Sequence, residues 1–213
     1  AEQTARMWID NYEAKIEARI GFPHQTQMTH LLYQTNSYLR EFDATVTQVN
    51  EPFRSVLLDQ TAFFPGGGGQ MFDTGTLTCA GVTYPLRRAN KSPEGVWHAL
   101  EGEQPMPAVG AAVHCELDWA RRYANMRTHT AMHILCGVVF RDYGALVTGG
   151  DMEPLKGRMD FEFESMSGDL VRVIEQAVNA EVVAARPVKV QILPREVAVQ
   201  IPDLIRTKIN LLP

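Results

Sequence analysis

Between Leu31 and Leu117 the chain is broken into six short β-rich runs, and this constrains its fold more than any other feature. They are Ala44 to Val49, Arg54 to Leu58, Gly75 to Thr78, Val82 to Leu86, Gly95 to Ala99 and Ala112 to Leu117. Gly and Pro clusters such as Glu103-Gln104-Pro105-Met106-Pro107 separate them, and such clusters punctuate strands rather than helices. Short strands at near-regular spacing predict a small barrel or sandwich. At Asp118 the period changes. Asp118 reads as a helix N-cap, and Trp119, Tyr123, Met126, Ile134, Leu135 and Val138 recur at helical spacing as a buried stripe. Beyond Thr148-Gly149-Gly150-Asp151, the alternation from Lys156 to Phe163 predicts a strand. A helix follows at about Gly168 to Ala185, with Leu170, Val171, Ile174, Ala177 and Val178 on its apolar face. Val188 to Leu193 reads as a further strand and Pro202 to Lys208 as a short helix. Strands and helices mixed in this way predict an α+β protein. At the other end, Trp8, Tyr12, Ile16 and Ile20 at steps of four describe an amphipathic helix stopped near Gly21 and Pro23.

Composition removes several classes of function. At 45% apolar and 21% charged over 213 residues, the chain has the make-up of a folded soluble protein with one sizeable core or two small ones. No apolar run approaches the roughly 20 residues that span a membrane, and no basic-then-apolar leader opens the chain; a cytoplasmic address is the expectation. Cys79, Cys115 and Cys136 are odd in number, widely spaced and without a CxxC pair, so neither a disulfide framework nor a self-contained zinc finger is indicated. A net charge of -5 argues against a general nucleic-acid binder. The average hides an asymmetry, with 8 basic and 14 acidic side chains through residue 118 but 12 and 11 after it. Any RNA contact is therefore expected from the second half, with Arg121, Arg122, Arg127, Lys156 and Arg158 as candidates. For each of them the competing reading is a solvated or internally paired arginine or lysine.

The residues with the most chemistry are His129 and His133, four apart on the predicted helix and so on one face of it, where both imidazoles can reach one metal ion. A zincin peptidase would need Glu directly after the first His, where Thr130 stands. Fifty residues upstream runs Leu58-Asp59-Gln60-Thr61-Ala62-Phe63-Phe64-Pro65-Gly66-Gly67-Gly68-Gly69-Gln70-Met71-Phe72-Asp73-Thr74-Gly75. Its four glycines lack the Gly-Lys-Ser/Thr of a P-loop, and read alone they make a tight turn between strands. Taken together, this string and Asp118-Trp119 through Arg127-Thr128-His129-Thr130-Ala131-Met132-His133-Ile134-Leu135 resemble the alanyl-tRNA editing family. These proteins are freestanding relatives of the editing domain of alanyl-tRNA synthetase, and the resemblance covers residues 28 to 213.

The resemblance implies a β-barrel domain over residues 28–117, carrying the glycine-rich motif, followed over 118–213 by an α+β editing domain of the threonyl/alanyl-tRNA synthetase second-additional-domain type. Residues 1–27 lie outside it as an accessory helix. It further implies a trans-editing hydrolase that cleaves the ester of Ser-tRNA(Ala), with Gly-tRNA(Ala) as a second substrate. His129 and His133 would bind Zn2+, a metal that can polarise water or anchor a substrate amine or hydroxyl. The family's other two ligands come from a distal CxxxH string; the sequence stops at Leu211-Leu212-Pro213 before one, and a truncated chain is the expectation. Cys136, three residues after His133, is the alternative ligand and otherwise packs as a small hydrophobe.

In the same way, Thr61 and Gln70 are the expected catalytic-site residues, and Gly66, Gly67, Gly68, Gly69, Arg122, Arg127 and Arg158 the expected substrate-binding ones. The Thr61 hydroxyl would pair with that of the misattached serine, because a polar group that must be paired rejects analogues lacking the partner. Two rival readings stand beside this one. One is a different zinc hydrolase using His129, His133 and Cys136. The other is a non-catalytic tRNA-binding or synthetase-associated module with an incomplete zinc site. Zinc stoichiometry and ester specificity separate them.

Overall fold

A computed structural model of the chain describes residues 29–188, 192–198 and 200–201. The helix expected over residues 4 to 20, the middle half of the strand expected at Val188 to Leu193 and the helix expected at Pro202 to Lys208 lie outside the described residues. The described residues form two compact units, one running through Met126 and the other beginning at Arg127.

The first unit is a closed six-stranded antiparallel barrel. Its strands are β2 (Glu41–Asn50), β3 (Ser55–Leu58), β5 (Gly75–Cys79), β6 (Val82–Ser92), β7 (Gly95–Leu100) and β8 (Ala112–Leu117), in the order β2-β3-β7-β6-β5-β8. Each expected run is one of these strands, and Ala112–Leu117 coincides with its strand from end to end. Alternation sets the inside: Val113, Cys115 and Leu117 of β8 are buried, as are Phe42, Ala44 and Val46 of β2. The pairs Phe42↔Cys115 and Ala44↔Val113 join these two strands. Val56, Leu58, Phe63, Leu77, Tyr84, Leu86, Val96 and Leu100 complete the core. Register shifts between Val46 and Gln48 and between Leu86 and Arg88 supply the bends that closure requires. Gly75 is fixed by contact: a Cβ there would lie 2.1 Å from the Glu116 carbonyl oxygen and 2.8 Å from Phe63 Cε1. Outside the barrel, β1 (His30–Leu31) pairs in parallel with β4 (Gln60–Thr61), and a one-turn helix α1 (Leu32–Thr35) follows β1.

Helix α2 runs from Trp119 to Tyr143. Asp118 caps it as expected, its Oδ1 accepting the Arg121 N–H at 3.1 Å. The buried positions differ from the expected stripe. Arg122, Asn125, Thr128, Met132, Val138 and Val139 are buried, whereas Tyr123 is exposed and stacks on Trp119 with ring centroids 5.7 Å apart. Three of those residues, Arg122, Asn125 and Thr128, are polar or carry charge, so an apolar period does not register them.

In the second unit β9 (Val147–Glu153) and β10 (Lys156–Phe161) form an antiparallel hairpin. Thr148 to Asp151 thus belongs to a strand. Thr128 holds the turn, its hydroxyl donating to Glu153 O at 3.2 Å and accepting Leu155 N–H at 2.8 Å. Helix α3 (Gly168–Val183) starts at Ser167, whose hydroxyl accepts from Leu170 N. Its Ile174 packs with Val139 and Ala145, flanked by Leu135, Phe161, Phe163, Leu170 and Val178. A short helix, α4 (Arg195–Ala198), is the last described element. No described helix is long and apolar enough to cross a membrane.

Candidate functional site

The glycine-rich segment is a loop with a closed neck. Phe64 N–H donates to Asp73 Oδ2 at 2.7 Å and Asp73 N–H to Phe64 O at 2.9 Å, tying its two ends together. At the tip, Gly67 and Gln70 exchange backbone hydrogen bonds of 3.0 Å each. Gly66, Gly67, Gly68 and Gly69 all have positive φ, from 60° to 134°, a path that side chains with a Cβ rarely take. Gly67 to Gly69 are exposed and Gln70 is half-buried.

Arg122 closes the neck from α2. Its Nε lies 3.0 and 2.9 Å from the two Asp73 carboxylate oxygens, its Nη1 donates to Ser37 O at 3.0 Å, and its Nη2 donates to Ala62 O. Arg122 is 2% exposed and Asp73 1% exposed. The guanidinium is therefore spent inside the protein.

Thr61 is also fully buried. Its hydroxyl donates to His98 Nε2 at 2.8 Å and accepts Phe63 N–H at 3.1 Å, while His98 Nδ1–H donates to Val56 O at 3.3 Å. Burial pushes the His98 pKa down to about 4, so this ring is neutral and in one tautomer near neutrality. The threonine hydroxyl keeps one acceptor lone pair. His98 was not anticipated, because one histidine in an apolar strand carries no spacing signal.

In the second unit the two α2 histidines behave as their spacing requires. The His129 and His133 rings stack with centroids 4.8 Å apart and planes 15° apart, and both are half-buried. Burial lowers both pKa values; for His133, with the neighbouring His129 adding to it, the fall is to about 3. Neutral imidazoles are the form that ligates metal. The pair thus offers two nitrogen donors suited to zinc. Among the described residues no group of three His, Cys, Asp or Glu ligands includes them. Cys136 is half-buried. Arg127 is exposed, as is Arg158, which pairs with Asp160 at 3.0 Å.

A cluster that could hold a metal ion stands elsewhere, on the outer face of the barrel. Glu41, His114 and Glu116 present ligand atoms all within 4.8 Å of one another. The sequence gives no hint of it, because β2 and β8 are seventy residues apart and meet only through the pairs Glu41↔Glu116 and Asp43↔His114. His114 Nδ1 lies 2.8 Å from Asp43 Oδ1, and that hydrogen bond raises its pKa. Glu41, Asp43 and Glu116 are all exposed and His114 is only half-buried, so the group reads as a surface ion cluster.

Residues 8–121 match the family of class II (A) tRNA synthetases. The chain is 35% identical over 181 residues to an alanyl-tRNA editing protein AlaX-M of Saccharolobus solfataricus, covering 84% of this chain and 75% of that one. To the protein of the same name from Methanosarcina barkeri it is 33% identical over 175 residues, covering 80% and 72%. The alanine–tRNA ligase of Hyperthermus butylicus is 38% identical over 181 residues, and the chain spans 19% of its length.

Proposed function

The chain belongs to the alanyl-tRNA editing protein family, and from that premise we propose that it is a trans-editing deacylase that hydrolyses the ester of Ser-tRNA(Ala), with Gly-tRNA(Ala) as a second substrate. The observation that carries the reading is the stacked, half-buried and neutral His129–His133 pair on α2, in a chain similar to named editing proteins over four-fifths of its length.

Hydrolysis of an aminoacyl ester asks for a positioned water, an anchored amino acid and stabilisation of the developing oxyanion. His129 and His133 would hold Zn2+ as two of its ligands, and zinc supplies Lewis-acid polarisation of a bound oxygen or an anchor for the amino acid. The glycine-rich loop brings bare backbone to the substrate, with Gln70 as its side-chain donor. Thr61 would accept the serine hydroxyl proton on its remaining lone pair, held at a fixed angle by His98 and Phe63 N–H. An alanyl ester has no hydroxyl for that position. Arg127, exposed and without a carboxylate partner among the described residues, would contact tRNA; Arg122 acts through the loop neck, and Arg158 would reach tRNA by exchanging Asp160 for phosphate. The test is deacylation of Ser-tRNA(Ala) beside Ala-tRNA(Ala) by this chain. Release of serine with alanine retained supports the proposal, and equal rates on both esters refute it.

A further inference from the structure

Phe72, two residues after Gln70 at the end of the glycine-rich loop, carries two arginines on one ring. The Arg88 guanidinium carbon lies 5.2 Å from its centroid and that of Arg121 5.7 Å. Arg88 is an exposed residue of β6, placed at the register shift that follows Leu86. Arg121 is half-buried and further fixed, its Nε donating to Phe72 O at 3.3 Å and its Nη2 lying 3.7 Å from Met71 Sδ. All of these residues belong to the barrel unit.

Two like charges drawn to one ring repel each other, and attraction to the ring's π face offsets only part of that. Five other arginines meet carboxylates: Arg122 meets Asp73, Arg141 meets Asp142 and Glu181, Arg158 meets Asp160, Arg172 meets Asp169 and Arg186 meets Glu181. Neither Arg88 nor Arg121 lies within ion-pair distance of a carboxylate among the described residues. Asp118, beside Arg121 in the chain, is used to cap α2. In a protein of net charge -5, a preformed and uncompensated guanidinium pair beside the exposed Gly67–Gly69 turn is a site for an anion. Arg88 is exposed to solvent, which suits successive phosphates of a backbone better than a small enclosed anion.

We propose that Arg88 and Arg121, held on Phe72, form a docking surface for the phosphodiester backbone of the tRNA whose ester the protein hydrolyses. The inference rests on the proposed function for the identity of the RNA. Guanidiniums fixed before binding lose little side-chain freedom on meeting phosphate, and the contact positions the RNA without reading its sequence.

The test is binding of uncharged tRNA(Ala) at several salt concentrations, by fluorescence anisotropy, to wild type, Arg88→Gln, Arg121→Gln, the double variant and Arg172→Gln as an exposed control. Each single loss should weaken binding several-fold near 0.1 M salt and lower the slope of log affinity against log salt by about 1, the double by about 2. The control should match wild type. Arg88→Gln removes only a ring contact, so it decides the matter alone if Arg121→Gln fails to fold. Wild-type affinity and slope in Arg88→Gln, or no tRNA binding by wild type, would overturn the surface. Deacylation with unchanged binding in the variants would leave the proposed function standing without this surface; arginine-dependent binding without deacylation would do the reverse.

Discussion

Arg122 and Asp73 form a buried ion pair in which one guanidinium nitrogen, Nε, lies within 3.0 Å of both carboxylate oxygens, and the same carboxylate accepts the Phe64 N–H that closes the glycine-rich loop. A charge left alone in such a place is costly. Arg122→Met should therefore destabilise the protein by roughly 3–5 kcal/mol, and Arg122→Lys by less, because it keeps the charge but loses the fork. Chemical denaturation measures both. A loss below about 1 kcal/mol in Arg122→Met would mean that the neck does not depend on this pair.

Thr61→Val keeps the shape of the side chain and removes its hydroxyl. Phe63 N–H then loses its acceptor and His98 Nε2 its donor, at about 1–3 kcal/mol for each buried group left unpaired. The same change should slow hydrolysis of the seryl ester more than that of the glycyl ester. Equal losses on the two esters would assign Thr61 a structural role only.

His98 makes stability depend on pH in a defined window. Its folded pKa is about 4 against an ordinary 6.5, so between these values the unfolded chain binds the extra proton. The stabilisation is complete above pH 6.5 and is lost as pH falls toward 4, a change on the order of 3 kcal/mol for a shift of this size. His98→Gln should flatten the denaturation midpoint between pH 6.5 and 4 relative to wild type. An equally steep fall in the variant would place the acid sensitivity elsewhere.

Much of the barrel was legible because its signal is local: alternation names the inward residues of β8, and Gly or Pro follows within two residues of the ends of β2, β5, β6 and β7. The α2 start at Asp118 and the shared face of His129 and His133 were legible for the same reason. What was not legible depends on contacts distant in sequence. Asp73 lies 49 residues from Arg122 and His98 lies 37 from Thr61, and no period in the chain links either pair. The buried face of α2 was misread through Tyr123 because Arg122, Asn125 and Thr128 bury polar groups that an apolar stripe cannot announce. For Arg122 the sequence left RNA contact and internal pairing open, and only the position of Asp73 in the fold decides for pairing.

Gly75 tests the barrel's closure. An added Cβ would meet the Glu116 carbonyl oxygen at 2.1 Å, and backbone cannot rotate away as a side chain can. Gly75→Ala should cost about 3 kcal/mol or more by forcing β5 from β8. A thermal midpoint within 2 °C of wild type would contradict the tight approach of these strands.

The α2 histidine pair is proposed to serve hydrolysis of a mischarged ester. Its most direct test is deacylation of Ser-tRNA(Ala) beside Ala-tRNA(Ala) by wild type and by the His129→Ala, His133→Ala double variant, with bound zinc quantified in each. Wild type should lose serine selectively, with zinc bound, and the variant at least a hundredfold more slowly with no bound zinc, about 3 kcal/mol of lost transition-state stabilisation. Seryl-ester hydrolysis at the wild-type rate in the double variant would contradict that role.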